Sequence, residues 1–215
     1  MANVNYRPNS QGGETRGGRA DSRNGQSHGS LWGILERSRI IPAIRSPEHL
    51  SLALVAPASV VFLMCGSPAT ISSFIWRLND RGKIPIINLD LISGFAQDSH
   101  AVEFLAEAGA AGIISTHQDV LRAAVSLGLI AVQRTFAIDS AAVGSCLNRL
   151  KHFVPDILEL LPAVAGPIVL PKLRSAYPGL PLIGCGLATT VKQIDELIKQ
   201  GVTSISAGDP ALWII

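Results

Sequence analysis

Residues 182–213 read LIGCGLATTVKQIDELIKQGVTSISAGDPALW, one complete structural unit followed by the start of another. Leu182–Gly186 is a short apolar run that ends in glycine. Val191–Lys199 has helical periodicity, with Thr190 and Gln193 spaced as a capping box in front and Gly201 placed to stop it. Ser204–Gly208 is a second apolar run, and Asp209-Pro210 starts another helical turn. Working back along the chain, the same unit recurs. The earlier runs are Ile40–Ile44, Val60–Cys65, Ile84–Asp90, Gly112–Thr116, Ile130–Phe136 and Ile157–Ala163. Short runs dominated by Ile, Val and Leu read as strands buried on both faces. Parallel strands need crossovers, and the intervals are long enough for helices. The pattern predicts a small (β/α)8 barrel of the TIM type, with any chemistry at the carboxyl ends of its strands.

The intervals predict helices over 47–55, 68–81, 98–108, 118–127, 140–152, 168–176, 191–199 and a short one over 210–213. Ser46-Pro47 and Ser67-Pro68 place a hydroxyl before a proline at the first helical position. Thr116 with Asp119 is spaced as a second capping box. The last helix is nearly absent, so one flank of the barrel is expected to be thinly covered and open to a second copy of the chain, a possible homo-oligomer.

Residues 1–30 are rich in Gly, Ser, Asn and Arg with almost no aliphatic side chains, a composition that predicts a disordered leader ahead of a barrel domain over 31–215. The leader carries Arg7, Arg16, Arg19 and Arg23 against Glu14 and Asp21, which is the whole net charge of +2. The body therefore balances to about zero, and any nucleic-acid role needs a local patch or the leader. No apolar stretch approaches the roughly 20 residues of a membrane helix. The leader has no apolar signal region. Cys65, Cys146 and Cys185 show neither disulfide nor metal-ligand spacing. The reading is a cytoplasmic protein with no membrane association, no metal and no cofactor.

At the expected mouth, Asp90, Ser115, Arg134 and Glu159 are the polar candidates. A charge inside an apolar strand is costly unless paired, so Arg134 and Glu159 need each other or a ligand. The corner formed by Gly184, Gly186, Leu187, Ser206 and Gly208 suits a phosphate, because missing side chains and helix-start amides let an anion approach the backbone. The lysines Lys83, Lys151, Lys172, Lys192 and Lys199 fall outside the strand ends, where a Schiff base would need one. No catalytic residue is assigned. Asp90 or Glu159 as the general base of an isomerase or lyase acting on a phosphorylated molecule stays open. So does a degenerate barrel without ligand.

The segments IIPAIRS (40–46), INLDLISG (87–94), GIISTHQDV (112–120), AVQRTFAIDS (131–140), PDILELLPA (155–163), LIGCGL (182–187) and SAGDPALW (206–213) resemble, in the same order, the glycerol-uptake operon antiterminator regulatory family. The resemblance covers nearly the whole predicted barrel. It implies a non-enzymatic cytoplasmic regulator that senses glycerol 3-phosphate and acts on a leader mRNA so that transcription passes a terminator. The chain departs from the family pattern at His117, Cys185, Thr189 and the Ser206–Asp209 strand end.

Overall fold

The computed structural model describes residues 33–35 and 37–214; the expected leader lies outside them. Eight parallel strands close into a barrel in chain order, with the last paired to the first. They are β1 (Ile40–Ile44), β2 (Val60–Leu63), β3 (Ile84–Asn88), β4 (Gly112–Ser115), β5 (Ile130–Phe136), β6 (Ile157–Leu161), β7 (Leu182–Cys185) and β8 (Ser204–Ala207). The helices between them are α1 (Leu50–Val55), α2 (Ile71–Asp80), α3 (Ser99–Glu107), α4 (Gln118–Ser126), α5 (Ser140–Leu150), α6 (Gly166–Ala176) and α7 (Val191–Lys199). Short 3-10 turns at Pro47–His49, Leu89–Leu91, Ala163–Ala165 and Pro210–Leu212 follow the ends of β1, β3, β6 and β8.

Successive strand residues point to opposite faces, and this parity divides the core in two. Ile40, Ile44, Val61, Leu63, Ile87, Ile113, Leu158, Leu182 and Ile205 face outward and pack under the helices. Ile41, Ala43, Val60, Phe62, Ile86, Ile114, Val132, Ile157 and Ile183 form a separate cluster inside the barrel. Leu35, fully buried, joins that inner cluster from the segment before β1, and its carbonyl accepts the Ser204 hydroxyl at the start of β8 (2.8 Å). The amino-terminal end of the lumen is thereby closed by apolar side chains.

The Thr190–Gln193 capping box forms, and Asp209 accepts from the Ala211 amide to start the last turn. The Thr116–Asp119 box does not: the Thr116 hydroxyl donates to Asp90 (2.8 Å), and His117 takes the cap position without a side-chain bond. Ser46 likewise makes no side-chain cap. The helix expected from Pro68 begins at Ile71, because the Ser67 amide donates to the Thr70 hydroxyl (3.0 Å) in a turn that precedes it. The flank expected to be thinly covered carries only the short turn Pro210–Leu212 and the buried Trp213. Trp213 folds back, donates its indole N–H to the Ala207 carbonyl (2.8 Å) and meets the His49 ring edge-on.

Candidate functional site

The inner parity that places Ile86, Val132, Ile157 and Ile183 in the lumen also places the next residues up each strand there. Asn88 follows Ile86 on β3, Arg134 follows Val132 on β5, Glu159 follows Ile157 on β6, and Cys185 follows Ile183 on β7. On β8, Ser206 follows Ser204. Toward the carboxyl ends of the strands the lining therefore changes from aliphatic to polar. Strand register brings these residues together, with Arg134 opposite Glu159 and Cys185 opposite Ser206.

Glu159 is fully buried. Its Oε1 accepts the Ser206 hydroxyl (3.0 Å), while its Oε2 stands 3.6 Å from Arg134 Nε. That separation gives Coulomb attraction without a hydrogen bond. Burial pushes the Glu159 carboxyl above its ordinary range, outweighing the opposing pull of Arg134, Ser206 and Cys185. Arg134 Nη2 lies 3.9 Å from Cys185 Sγ. Burial and the neighbouring Glu159 push the Cys185 thiol up to about 11, so at neutral pH it is a thiol and a weak nucleophile.

Five buried polar atoms of this layer have no hydrogen-bond partner among the described residues: Asn88 Nδ2 and Oδ1, Arg134 Nε and Nη1, and Glu159 Oε2. A buried polar atom left unpaired costs about 1–3 kcal/mol, and native folds rarely gather several in one place without a function. The group offers both donors and acceptors, the complement of a hydroxylated molecule.

The candidate phosphate corner lies at the rim. Gly186 and Gly208 leave the neighbouring strands β7 and β8 just beyond the paired residues Cys185 and Ser206. Gly186 and Leu187 are consecutive left-handed residues (φ 75° and 59°), and Leu187 is exposed. A leucine in that conformation costs about 1–2 kcal/mol, and such strain gathers at functional sites. The amides of Leu187, Ala188 and Gly208 find no acceptor among the described residues, whereas those of Thr189 and Thr190 donate to the Gln193 side chain. Gly184 plays a different part: it faces outward, where a Cβ would meet Ile205 at 2.8 Å and Ala163 at 2.9 Å. The Arg45 side chain lies over Gly208, its Cδ 3.1 Å from where a Cβ would stand, and so brings a cation to the corner.

Asp90 and Ser115 are brought together, but as a brace. Asp90 accepts from the Ser115 hydroxyl (2.6 Å), the Thr116 amide (2.7 Å) and the Thr116 hydroxyl, while Ser115 Oγ also accepts the His117 amide (3.0 Å). The carboxylate ties the turn after β3 to the end of β4, and Ser115 points away from the lumen. Asn88, Cys185 and Arg45 fall at strand ends of the mouth in the sequence too, but nothing in their local pattern marks them as ligand contacts. Parity is the signal that places the first two inward, since each is in phase with the isoleucines that precede it. Arg45 shows only as a charge ending an apolar strand.

The family model of glycerol-3-phosphate responsive antiterminators matches residues 40–213. The chain belongs to that family. A solved glycerol uptake operon antiterminator-related protein from Thermotoga maritima MSB8 is 30% identical, with a TM-score of 0.75 over 83% of this chain and 99% of that one. A glycerol uptake operon antiterminator regulatory protein from Listeria monocytogenes is 27% identical, with a TM-score of 0.75 over 81% of this chain and 94% of that one. YgcP of Escherichia coli K12, an uncharacterised protein, is 27% identical over 186 residues, covering 85% of this chain and 95% of that one. Within this chain, the residues that depart from the family pattern divide by place: Cys185 lies in the polar lumen, Thr189 at the rim, and His117 on the exposed start of α4. Asp209, beside the candidate phosphate corner, spends one carboxylate oxygen on its own turn.

Proposed function

We propose that this antiterminator is a cytoplasmic, non-enzymatic sensor that binds glycerol 3-phosphate at the barrel mouth and acts on a leader mRNA. The observation that carries this reading is the layer of five unpartnered polar atoms below a rim with free amides and a cation. The ligand's hydroxyls pair with Asn88, Arg134 and Glu159. Its phosphate takes the amides of Leu187, Ala188 and Gly208, aided by Arg45. A regulatory response requires that the ligand bind two states of the protein with different affinity. Closure of the strained Gly186–Leu187 turn over the phosphate is the local change best placed to supply the difference.

A thermal-shift and calorimetry panel with glycerol 3-phosphate, glycerol and inorganic phosphate tests the site. At a hundredfold excess over Kd, a native-state ligand adds about 2.7 kcal/mol, a rise of roughly 5–10 °C for a chain this size. Gly186→Asp, which puts a carboxylate in the cradle, should remove that rise and leave the circular dichroism spectrum intact; unchanged affinity would reject the phosphate assignment. Transcription through the chain's own leader terminator, with and without glycerol 3-phosphate, tests the regulatory output.

The raised carboxyl of Glu159 supports one second reading, an acid–base isomerase or lyase on a phosphorylated substrate. Product formed from any phosphorylated polyol or sugar that binds, and lost in Glu159→Gln with binding retained, would favour that enzyme over the sensor.

A further inference from the structure

We propose that the antiterminator holds RNA phosphates on the flank between α4 and α5, running to the barrel end opposite the mouth. The inference rests on reading the chain as an RNA-acting regulator, and it names the surface that does the work.

The charges of the barrel are segregated. From Ile84 to Leu121 there is no lysine or arginine, while Asp90, Asp98, Glu103, Glu107 and Asp119 fall there. From Ser140 to Pro155 there is no acid, while Arg149, Lys151 and His152 follow within four residues and are all exposed. Arg122 on α4 joins them. Its Nη2 donates to the His152 carbonyl (2.7 Å), and its guanidinium sits 5.0 Å from the centre of the Phe153 ring. Gln118 Nε2 donates to the Arg149 carbonyl (3.1 Å), and Lys151 Nζ to Asn148 Oδ1 (3.0 Å). Arg122, Arg149 and Lys151 are thus presented on a braced scaffold, and none of these three cations forms an ion pair among the described residues. The nearest acids along the chain are Asp119 and Asp156, and Asp156 accepts the Ala131 amide (2.8 Å). Basic residues commonly close a helix carboxyl end to complement its dipole. That accounts for one such residue, not for three in four positions with a fourth reaching over from the next helix.

The other end of the barrel is a poor surface for a polyanion. Glu48, Asp90, Asp98, Asp139 and Asp209 all follow strand carboxyl ends there, among the exposed apolar side chains Leu91, Phe136, Ile138, Val164 and Leu187. The loop from Lys151 to Asp156 leads into β6 at the opposite, amino-terminal end. Arg37 is exposed there. The acidic α3 beside α4 confines the strand to one side of the flank. Ligand and RNA then occupy separate sites, as a response transmitted through the barrel requires.

The test is fluorescence anisotropy of the full chain with a labelled transcript of its own operon leader, at two salt concentrations. Each neutralised phosphate contributes about 0.7 to the salt slope of single-stranded binding. The Arg149→Glu/Lys151→Glu pair should weaken binding by about tenfold or more and flatten the slope by about 1.4, with the glycerol 3-phosphate thermal shift unchanged. Charge-neutral Lys151→Gln should have a smaller effect in the same direction, and covers the case in which the double reversal disturbs folding. Binding by both variants within about twofold of the unaltered protein would overturn the flank assignment and leave the sensor reading standing. A lack of transcript binding by the unaltered protein would overturn both.

Discussion

The lower and upper halves of the lumen are built from the same eight strands with the same alternation, yet they obey opposite rules. Below, Leu35, Ile41, Val60, Phe62, Ile86, Ile114, Val132, Ile157 and Ile183 fill the space with buried aliphatic and aromatic side chains, and the Ser204 hydroxyl among them is satisfied by the Leu35 carbonyl. Above, Asn88, Arg134, Glu159, Cys185 and Ser206 occupy the equivalent inward positions and leave five polar atoms unpaired. The lower half contributes the stability that the upper half gives up. A fold that closes its strands below can tolerate unsatisfied groups above, provided that a ligand restores their hydrogen bonds.

The division can be broken by experiment. The largest effect is expected from Phe62→Ala in the lower layer, a loss of about 3–5 kcal/mol in urea denaturation. The ligand-induced thermal shift should survive as long as the protein folds; loss of the shift in a folded variant would show that the two halves are not separable. Next is Gly184→Ala, whose methyl would press on Ile205 and Ala163. It should cost about 1–3 kcal/mol of stability and change ligand affinity little, since that position faces the helices. Asn88→Leu should reverse the pattern. Stability should hold or rise, because two unpaired atoms are removed, while affinity for glycerol 3-phosphate should drop about tenfold or more by calorimetry. A destabilisation as large as that of Phe62→Ala would mark the upper layer as structural.

The smallest effect concerns pH. A carboxyl whose folded pKa lies above its unfolded value gives stability that is full in acid and declines as pH rises from the unfolded value through the folded one. Glu159 is such a group. Glu159→Gln should therefore flatten the stability profile above the ordinary carboxyl range, and gain most at neutral pH. A profile that stays parallel to that of the unaltered protein would mean that Arg134 holds the charge more firmly than its 3.6 Å separation implies.

How far each feature could be read in advance follows its physical range. The strand runs were readable because each is a local apolar block, and their ends shifted by only one or two residues, as at Asn88, where the chain enters a 3-10 turn instead of continuing to Asp90. The Thr190 cap was readable because its partner is three residues away. The Thr116 cap does not form because its hydroxyl has a better acceptor in Asp90, 26 positions back along the chain. Glu159 and Arg134 stood out as charges in apolar strands, and the register pairs them. Asp90 and Ser115 stood out equally, but their pairing with each other is a contact between consecutive units that composition does not reveal.

Repetition of a strand, a crossover and a helix start, written eight times in local periodicity, was enough to set out the barrel and to point to the carboxyl ends of its strands as the place to expect a site. Only closure of the barrel decided which polar residues face one another, because lumen parity depends on how each strand registers against its neighbours. It also gathered Arg122, Arg149, Lys151 and His152 onto one flank of a chain whose barrel is close to neutral overall, since side chains far apart in sequence share a surface only after α4 and α5 pack side by side.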